Sequence, residues 1–333
     1  MATHMATRAH VRNLIERVRN EPPVSAAIVY PCDRDSLQLA LSGVFAGFLA
    51  PILVGPEKRI RSTAAAAGLD ISRIRIHHTA DHPQAASIAA VMLARDGRVA
   101  AMIKGSLGDG DLLGPVVAND SGLRTDRRLS HAHFVDLPGR SQGLLLADAQ
   151  LNVAPNLGAK REIVVNTIDL AVALGIAAPK VALLAAMDVF NHAFPSTADA
   201  AAIQTMATDD AFRDAVIAGP MTVDSALSDT AARANGVKSE IIGDADILIA
   251  PNMEGALLVL RTLTGLMGGL AAGIVLGAKV PIVAPARTDS METRMASCVL
   301  ASLLVAANRH SDVEDRDSDR AAPERFVEVF AHA

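Results

Sequence analysis

Short runs of β-branched and aliphatic residues alternate along this chain with longer alanine-rich segments whose apolar positions recur at helical spacing. That alternation restricts the fold more than any other property of the sequence. A strand, a crossover helix and a further strand make the repeating unit of a parallel sheet, so a chain built of many such units reads as an α/β protein with a largely parallel sheet. In the first half, strands are expected at 26–30, 51–54, 73–77 and 99–103, with helices at 33–46, 57–67 and 82–95 between them. The helix ends carry their own punctuation, with Asp33 as an N-cap type and Gly68 and Gly97 just past the last helical turns.

The middle of the chain breaks the rhythm. Segments 131–136 and 143–148 flank Pro138-Gly139 and predict a hairpin, of the kind found at a domain junction. Alternation then resumes, with helices expected at 159–174, 196–207 and 255–266 and strands at 180–185, 246–250 and 271–276. A last long helix is expected at 290–308, followed by a solvated polar loop at 311–320 and a closing helix at 323–332. At 333 residues the chain is too long for one comfortable core, so two domains are expected. Aromatic residues are only 3% of the chain, so Ala, Val, Leu, Ile and Met must fill those cores.

Several function classes are disfavoured. A net charge of −5 gives no basic footprint for nucleic acid, although a local arginine cluster around a small anion remains compatible with it. Cys32 and Cys298 are too few and too far apart for a disulfide framework or a cysteine metal array. His131, His133 and His192 lack metal-ligand spacing, so no metal is expected. The longest apolar stretches are broken by Gly and Asp or fall short of the roughly 20 residues a membrane helix needs. The N-terminal segment lacks the apolar core of a signal peptide, and a cytoplasmic protein with no membrane contact is the expectation.

Candidate chemistry gathers where expected strands end. The apolar run Val280-Pro281-Ile282-Val283 leads into Ala284-Pro285-Ala286-Arg287-Thr288-Asp289-Ser290 and then into a helix. An arginine emerging there, beside a helix N-terminus, is suited to a phosphate, because guanidinium and helix N–H groups both donate to oxyanions. Lys104-Gly105-Ser106-Leu107-Gly108-Asp109 follows another strand; it reads either as an ordinary turn or as an anion cradle using Lys104, Ser106 and backbone N–H groups. Arg124, Arg127 and Arg128 form a basic turn from which one arginine could face a ligand. Asp148 and Asn152 end an apolar strand, where a carboxylate must be paired and could hold either the domain junction or the ligand. Ser196 and Thr197 open a helix and could cap it or touch a phosphate; Asp224 and Glu254 stand at further turns as caps or site residues.

Taken together these stretches resemble the phosphate acetyltransferase and phosphate butyryltransferase family, most of all the transferase half of fusion proteins that also carry an enoyl-CoA hydratase-like domain. The likeness runs from about Pro22 to Asn308 and is carried by Tyr30-Pro31-Cys32-Asp33, Met102-Ile103-Lys104-Gly105-Ser106-Leu107, Ser121-Gly122-Leu123-Arg124-Thr125, Leu146-Ala147-Asp148-Ala149, Pro195-Ser196-Thr197, Gly219-Pro220 with Asp224, and Ala272-Gly273-Ile274-Val275-Leu276-Gly277-Ala278. The resemblance implies two α/β/α domains of the isocitrate and isopropylmalate dehydrogenase-like type, here 1–130 with 278–333 and 131–277, with the active site in the cleft between them and a homodimer. It also implies the reaction, acyl-CoA plus phosphate in equilibrium with acyl phosphate plus coenzyme A, with coenzyme A as a substrate and no tightly bound cofactor.

On that likeness Arg287 matches the arginine of the family's Ser-Arg turn, a phosphate or thiolate contact. Arg124 becomes a second phosphate or coenzyme A contact, while Ser106 and Lys104 line the cleft. The chain departs from the family pattern where Pro285-Ala286-Arg287 lacks a serine, where Gly108 replaces a histidine, and where Asn252-Met253-Glu254-Gly255-Ala256-Leu257 lacks an aspartate and an asparagine. A base expected near Thr293 is missing, and Asp289 is the nearby carboxylate that could replace it. The expectation is a short-chain phosphate acyltransferase; a non-catalytic acyl-CoA or phosphate-binding homologue is the alternative, and a metal-dependent decarboxylating dehydrogenase of similar fold is a weaker third.

Overall fold

The computed structural model describes residues 8–208 and 210–321. Eleven strands form one sheet: β1 (Val24–Val29), β2 (Leu49–Gly55), β3 (Arg75–His78), β4 (Ala101–Lys104), β5 (Ser130–Asp136), β6 (Leu144–Ala147), β7 (Lys180–Leu184), β8 (Val216–Met221), β9 (Ile247–Ile249), β10 (Leu270–Leu276) and β11 (Ile282–Val283). Their order across the sheet is β3-β2-β1-β4-β11-β10-β5-β6-β9-β7-β8. The first-half strands and helices appear within two residues of their expected bounds at most ends, and Glu57–Ala67 matches at both. Asp33 caps its helix as its residue type requires, accepting the Ser36 N–H at 2.7 Å.

The sheet is largely parallel, as expected, and its antiparallel pairings are confined to its centre. β1 to β4 and β11 run parallel to one another, and β6, β9, β7 and β8 form a second parallel set. Between the sets, β10 is antiparallel to both β11 and β5, and β5 is antiparallel to β6, as the expected hairpin demands. β10 returns the chain from the second set to the first, so β5 and β10 are the seam along which the two halves join. Their register sets Gly273 opposite His133 and Val275 opposite His131.

Differences from expectation have local causes. The helix Ala9–Arg19 was not anticipated; it buries Val11, Leu14 and Val18 on one stripe against the final helix, and the Val11 N–H donates to the buried Asp136 carboxylate at 3.0 Å. Val216–Met221 forms a strand although Gly219-Pro220 reads as a turn, because it lies at the sheet edge, where a proline's missing N–H is tolerated. The polar segment 311–320 continues the final helix, Met291–Ala321, instead of forming a loop. No Gly or Pro interrupts 291–321, so a helix nucleated by the buried Cys298, Val299, Leu300 and Leu303 extends through it. The segment expected as a closing helix, 323–332, lies outside the described residues.

Candidate active site

β11 is only two residues long, and the chain leaves it through buried Ala284 and Pro285 into an exposed turn carrying Ala286, Arg287 and Thr288. Two internal bonds close the turn: the Ala286 N–H donates to Asp289 Oδ2 at 2.8 Å, and the Asp289 N–H donates to the Ala286 carbonyl at 3.1 Å. Ser290 then caps the final helix by accepting the Thr293 N–H at 3.1 Å. The turn's carbonyls are held by Arg294, only 7% exposed, whose guanidinium donates to Asp289, Ala286 and Arg287 carbonyls at 3.1, 3.2 and 3.3 Å. Sequence reasoning missed Arg294, which reads as one more polar residue on a helix. Arg287 itself presents its side chain to solvent above this scaffold.

β4 lies beside β11, so Lys104 emerges next to this turn. Its ammonium is buried and pairs with Asp109 at 2.5 Å; Asp109 Oδ2 in turn accepts from Gln150 Nε2 at 3.3 Å. One short chain of contacts therefore links the β4 loop to the segment after β6, across the seam. The N–H groups of Gly105 and Ser106 are not free to cradle an anion, because they donate to the Val29 and Tyr30 carbonyls, each at 2.9 Å. Gly105 permits that approach: a Cβ there would lie 2.5 Å from the Val29 oxygen.

Asp148 is a saturated buried carboxylate. It accepts the N–H groups of His131, Gln150 and Leu151 at 3.0, 2.8 and 2.9 Å and the Asn152 amide at 2.7 Å. Four donors leave it no capacity for a ligand, and its place is to lock the start of β5 to the end of β6, the junction role among the two expected for it.

Between these groups lies a cleft of ≈ 400 Å³, lined by Pro285, Ala286, Thr288, Asp289 and Ser290 on one side, Asp109, Ala149 and Gln150 on another, and His131, His133, Gly273, Arg261 and Ser297. The two imidazoles stand 4.4 Å apart, centroid to centroid. Burial, reinforced by the charge of Lys104, pushes the pKa of His131 down to about 3. Burial and then the neighbouring His131 lower that of His133 well below the usual histidine range. Both rings are therefore neutral near pH 7. Burial raises the Cys32 thiol to about 11 and the Cys298 thiol to about 12, so neither provides a thiolate.

Arg124 occupies a different place. It is exposed, donates to Asn119, and with Arg127, Arg128 and Asn152 lines a second cavity of ≈ 570 Å³ beside Gly277 and Ala278. Lys104, expected to line the cleft, meets it only through its partner Asp109, and neither it, nor Arg287, nor any of the remaining candidates lines either cavity. Ser106 is half-buried at the β1–β4 edge. Ser196 is half-buried, and the buried Thr197 hydroxyl serves the Asn191 and Phe194 backbone near β7. Asp224 and Glu254 are exposed in the first turns of the helices Val223–Leu227 and Met253–Arg261. Among the described residues, no group of three or more His, Cys, Asp or Glu side chains could hold a metal ion, and no helix is long and apolar enough to cross a membrane.

The family model described as "Phosphate acetyl/butaryl transferase" matches residues 83–302. A phosphate acetyltransferase of Rhizobium meliloti is 42% identical over 300 residues, covering 90% of this chain and 95% of the relative. A phosphate butyryltransferase of Clostridium beijerinckii is 32% identical over 296 residues, 89% of this chain and 98% of the relative. The crystal structure of a branched-chain phosphotransacylase from Enterococcus faecalis superposes with a TM-score of 0.75 at 28% identity, covering 85% of this chain and 99% of that one.

Proposed function

The chain belongs to the phosphate acetyl/butyryl transferase family, and from that premise we propose that the cleft beneath the 285–290 turn is where its acyl group changes partner. The protein is an acyltransferase that interconverts acyl-CoA plus phosphate with acyl phosphate plus coenzyme A. The observation that carries the assignment of the site is a cleft at the seam of the sheet lined by Pro285, Ala286, Thr288, Asp289 and Ser290 of the braced turn, by Asp109, which pairs with the buried Lys104, and by two neutral imidazoles.

Both directions of the reaction pass through a tetrahedral centre bearing an oxyanion and require a dianionic phosphate beside it. Arg287 is the phosphate contact in this reading: its side chain is exposed on a turn whose neighbouring residues Ala286 and Thr288 line the cleft, and Arg294 holds its backbone still. Lys104 adds positive potential from below while its own charge is kept in place by Asp109. Asp289, which both shapes the turn and lines the cleft, is the carboxylate available to manage the thiol proton. Arg124, in the neighbouring basic cavity, is assigned to the phosphates of coenzyme A, with that cavity as the route of its arm. The modest cleft volume favours a short acyl chain, and Ala286 leaves room where a hydroxyl would otherwise stand.

Two wider features belong to the same reading. Residues 1–130 with 278–333, and 131–277, form the two domains, supported by the grouping of β1–β4 with β11 on one side of the seam and β6–β9 on the other. A homodimer is supported by Leu258, Leu266 and Met267, which are 72%, 85% and 52% exposed, the first and last of them beside the hairpin tip Pro138-Gly139. Light scattering at twice the 34.7 kDa chain mass is the expected result. The unpaired Cys32 and Cys298 agree with a reducing, cytoplasmic setting, which fractionation of the native cell would check.

The assay is direct. Purified protein with acetyl-, propionyl- or butyryl-CoA and phosphate is followed by coenzyme A release, and Arg287→Ala should lose about 10²-fold in kcat/KM for phosphate. No turnover with any of the three thioesters would refute the activity, and an Arg287→Ala variant within threefold of wild type would remove the turn from the site.

A further inference from the structure

Resting on the acyltransferase reading above, we propose that Arg261 is a substrate-binding residue of this chain, the cation inside the cleft that holds the phosphoryl group of phosphate and of acyl phosphate. The starting observation is a mismatch of charge. The reaction brings a dianion into the cleft, yet the ionisable groups that line it include two neutral imidazoles and the carboxylates of Asp109 and Asp289. Lys104 offsets Asp109 without itself lining the space, and the guanidinium of Arg294 is taken up by backbone carbonyls. Among the described residues the lining holds one arginine and no lysine, and that arginine is Arg261. Its guanidinium makes no hydrogen bond or ion pair with any described residue.

The fold explains why Arg261 meets this space. On one face of the sheet a single core runs across the seam, joining Ile28, Ile103, Ala272, Ile274, Leu145 and Leu183. On the other face the core is divided into two clusters, one with Val29, Met102 and Ile282, the other with Val135, Leu146 and Leu248. The cleft lies at that division, for it is lined by Ala284 of the first cluster and by Ala149 and Leu260 of the second. The helix Met253–Arg261 follows β9 and packs on β6, so it walls the cleft from the side of the second cluster. Leu257, Leu260 and Arg261 stand three and four positions apart, hence on one helical face, and all line the cleft. Leu258, Val259 and Thr262 line the groove beside the hairpin tip instead. The last turn of the helix therefore delivers Arg261 to the cleft along an apolar stripe that suits its methylene stem.

An arginine in the last turn of a helix has an ordinary use, which is to complement the helix dipole and donate to the terminal carbonyls. Arg261 donates to none of them. Its charge is felt inside the cleft: the pKa of His133 is lowered first by burial and then by His131, and Arg261 lowers it further against the opposing pull of Asp148. The side chain's chemistry fits the ligand. A guanidinium donates two parallel N–H bonds to phosphate oxygens, a pairing that the point charge of a lysine does not reproduce. Arg287 stands on the turn after β11 and Arg261 on the helix after β9, so the phosphoryl group is held from both sides of the seam. Phosphate and acyl phosphate both carry that group, and both directions of the reaction therefore depend on Arg261, which takes no part in proton transfer.

The test uses the full chain, phosphate and whichever thioester the wild type turns over. Arg261→Gln should raise KM for phosphate about tenfold or more, with KM for the thioester changed less than about threefold. In the reverse direction KM for acyl phosphate should rise by a similar factor and KM for coenzyme A should not, a split that a general loss of structure would not produce. Arg261→Lys, which keeps the charge and loses the fork, should fall between wild type and Arg261→Gln. Lys238→Gln removes a positive charge from an exposed position outside the cleft and should leave KM for phosphate within about twofold of wild type. A KM for phosphate within about threefold of wild type in Arg261→Gln, an equal rise in the constants for thioester and coenzyme A, or the same effect from Lys238→Gln overturns the proposal. Absence of turnover by the wild type would instead overturn the acyltransferase reading beneath it. Calorimetric titration with inorganic phosphate then decides for Arg261: binding at least about tenfold weaker in Arg261→Gln supports its role, and equal binding, or none by the wild type, overturns it.

Discussion

Two buried polar centres lie one strand apart at the seam of the sheet and are treated in opposite ways. At the end of β6, the Asp148 carboxylate receives four hydrogen bonds from His131, Gln150, Leu151 and Asn152. On β5, the imidazoles of the buried His131 and the half-buried His133 each have a ring nitrogen with no partner. Both centres are costly to desolvate. The first is compensated inside the protein and therefore holds structure; the second is left uncompensated, a cost the fold carries.

The contrast can be broken most severely at Asp148. Asp148→Ala would leave three backbone N–H groups and an amide without their acceptor and should destabilise the fold by about 3 kcal/mol or more, read as a drop in the denaturation midpoint. A loss under about 1 kcal/mol would mean that water replaces the carboxylate and that the centre is not a structural lock.

A smaller effect is expected at Gly273, which belongs to the other centre. Gly273→Ala puts a methyl group 2.6 Å from His131 Cε1, and the ring must shift to accept it. The expected result is a stability loss of about 1–3 kcal/mol together with reduced turnover. Unchanged kinetics after that substitution would show that the position of the imidazole does not matter.

The last effect is a pH dependence to which both imidazoles contribute. Their folded-state pKa values lie below the ordinary 6.5, so the unfolded chain binds the protons that the folded one refuses. Stability from this source is intact above pH 6.5 and falls as the pH drops toward the depressed values, by about 1.4 kcal/mol per pH unit for each ring. Thermal denaturation should show no such slope from pH 7.5 to 6.5 and that slope between pH 6 and 5, and His131→Phe should reduce it. An unaltered slope in the variant would place the acid sensitivity elsewhere.

Much of this was legible beforehand, because local patterns carry it. Asp33 announces a helix start, and 57–67 has helical periodicity closed by Gly68. Pro138-Gly139 between two apolar runs announces a hairpin. The turn with Arg287 is recognisable by its residue types, and the ordered motifs from Tyr30 to Ala278 carry the family likeness. Two local readings misled. Gly219-Pro220 suggested a turn where an edge strand exists, and the polarity of 311–320 suggested a loop, although nothing there breaks a helix. Arg294 and His133 gave no signal of their place, since a helical arginine and a His-x-His alternation are compatible with ordinary surface or core positions; His131 stood out only within Arg128-Leu129-Ser130-His131, a stretch that shares the family likeness.

Sequence alone thus determined the α/β character, the succession of most elements and the kind of reaction the chain performs, since these depend on periodicity and motif order along the chain. Tertiary structure decided which polar groups are satisfied. The register of β5 on β10 lays His131 over Gly273. The Lys104–Asp109–Gln150 link joins residues from both sides of the seam. Arg294 reaches back to brace the turn that carries Arg287. Desolvation and hydrogen-bond satisfaction arise from the simultaneous packing of many segments distant in sequence, and no local spacing encodes whether a buried nitrogen finds a partner.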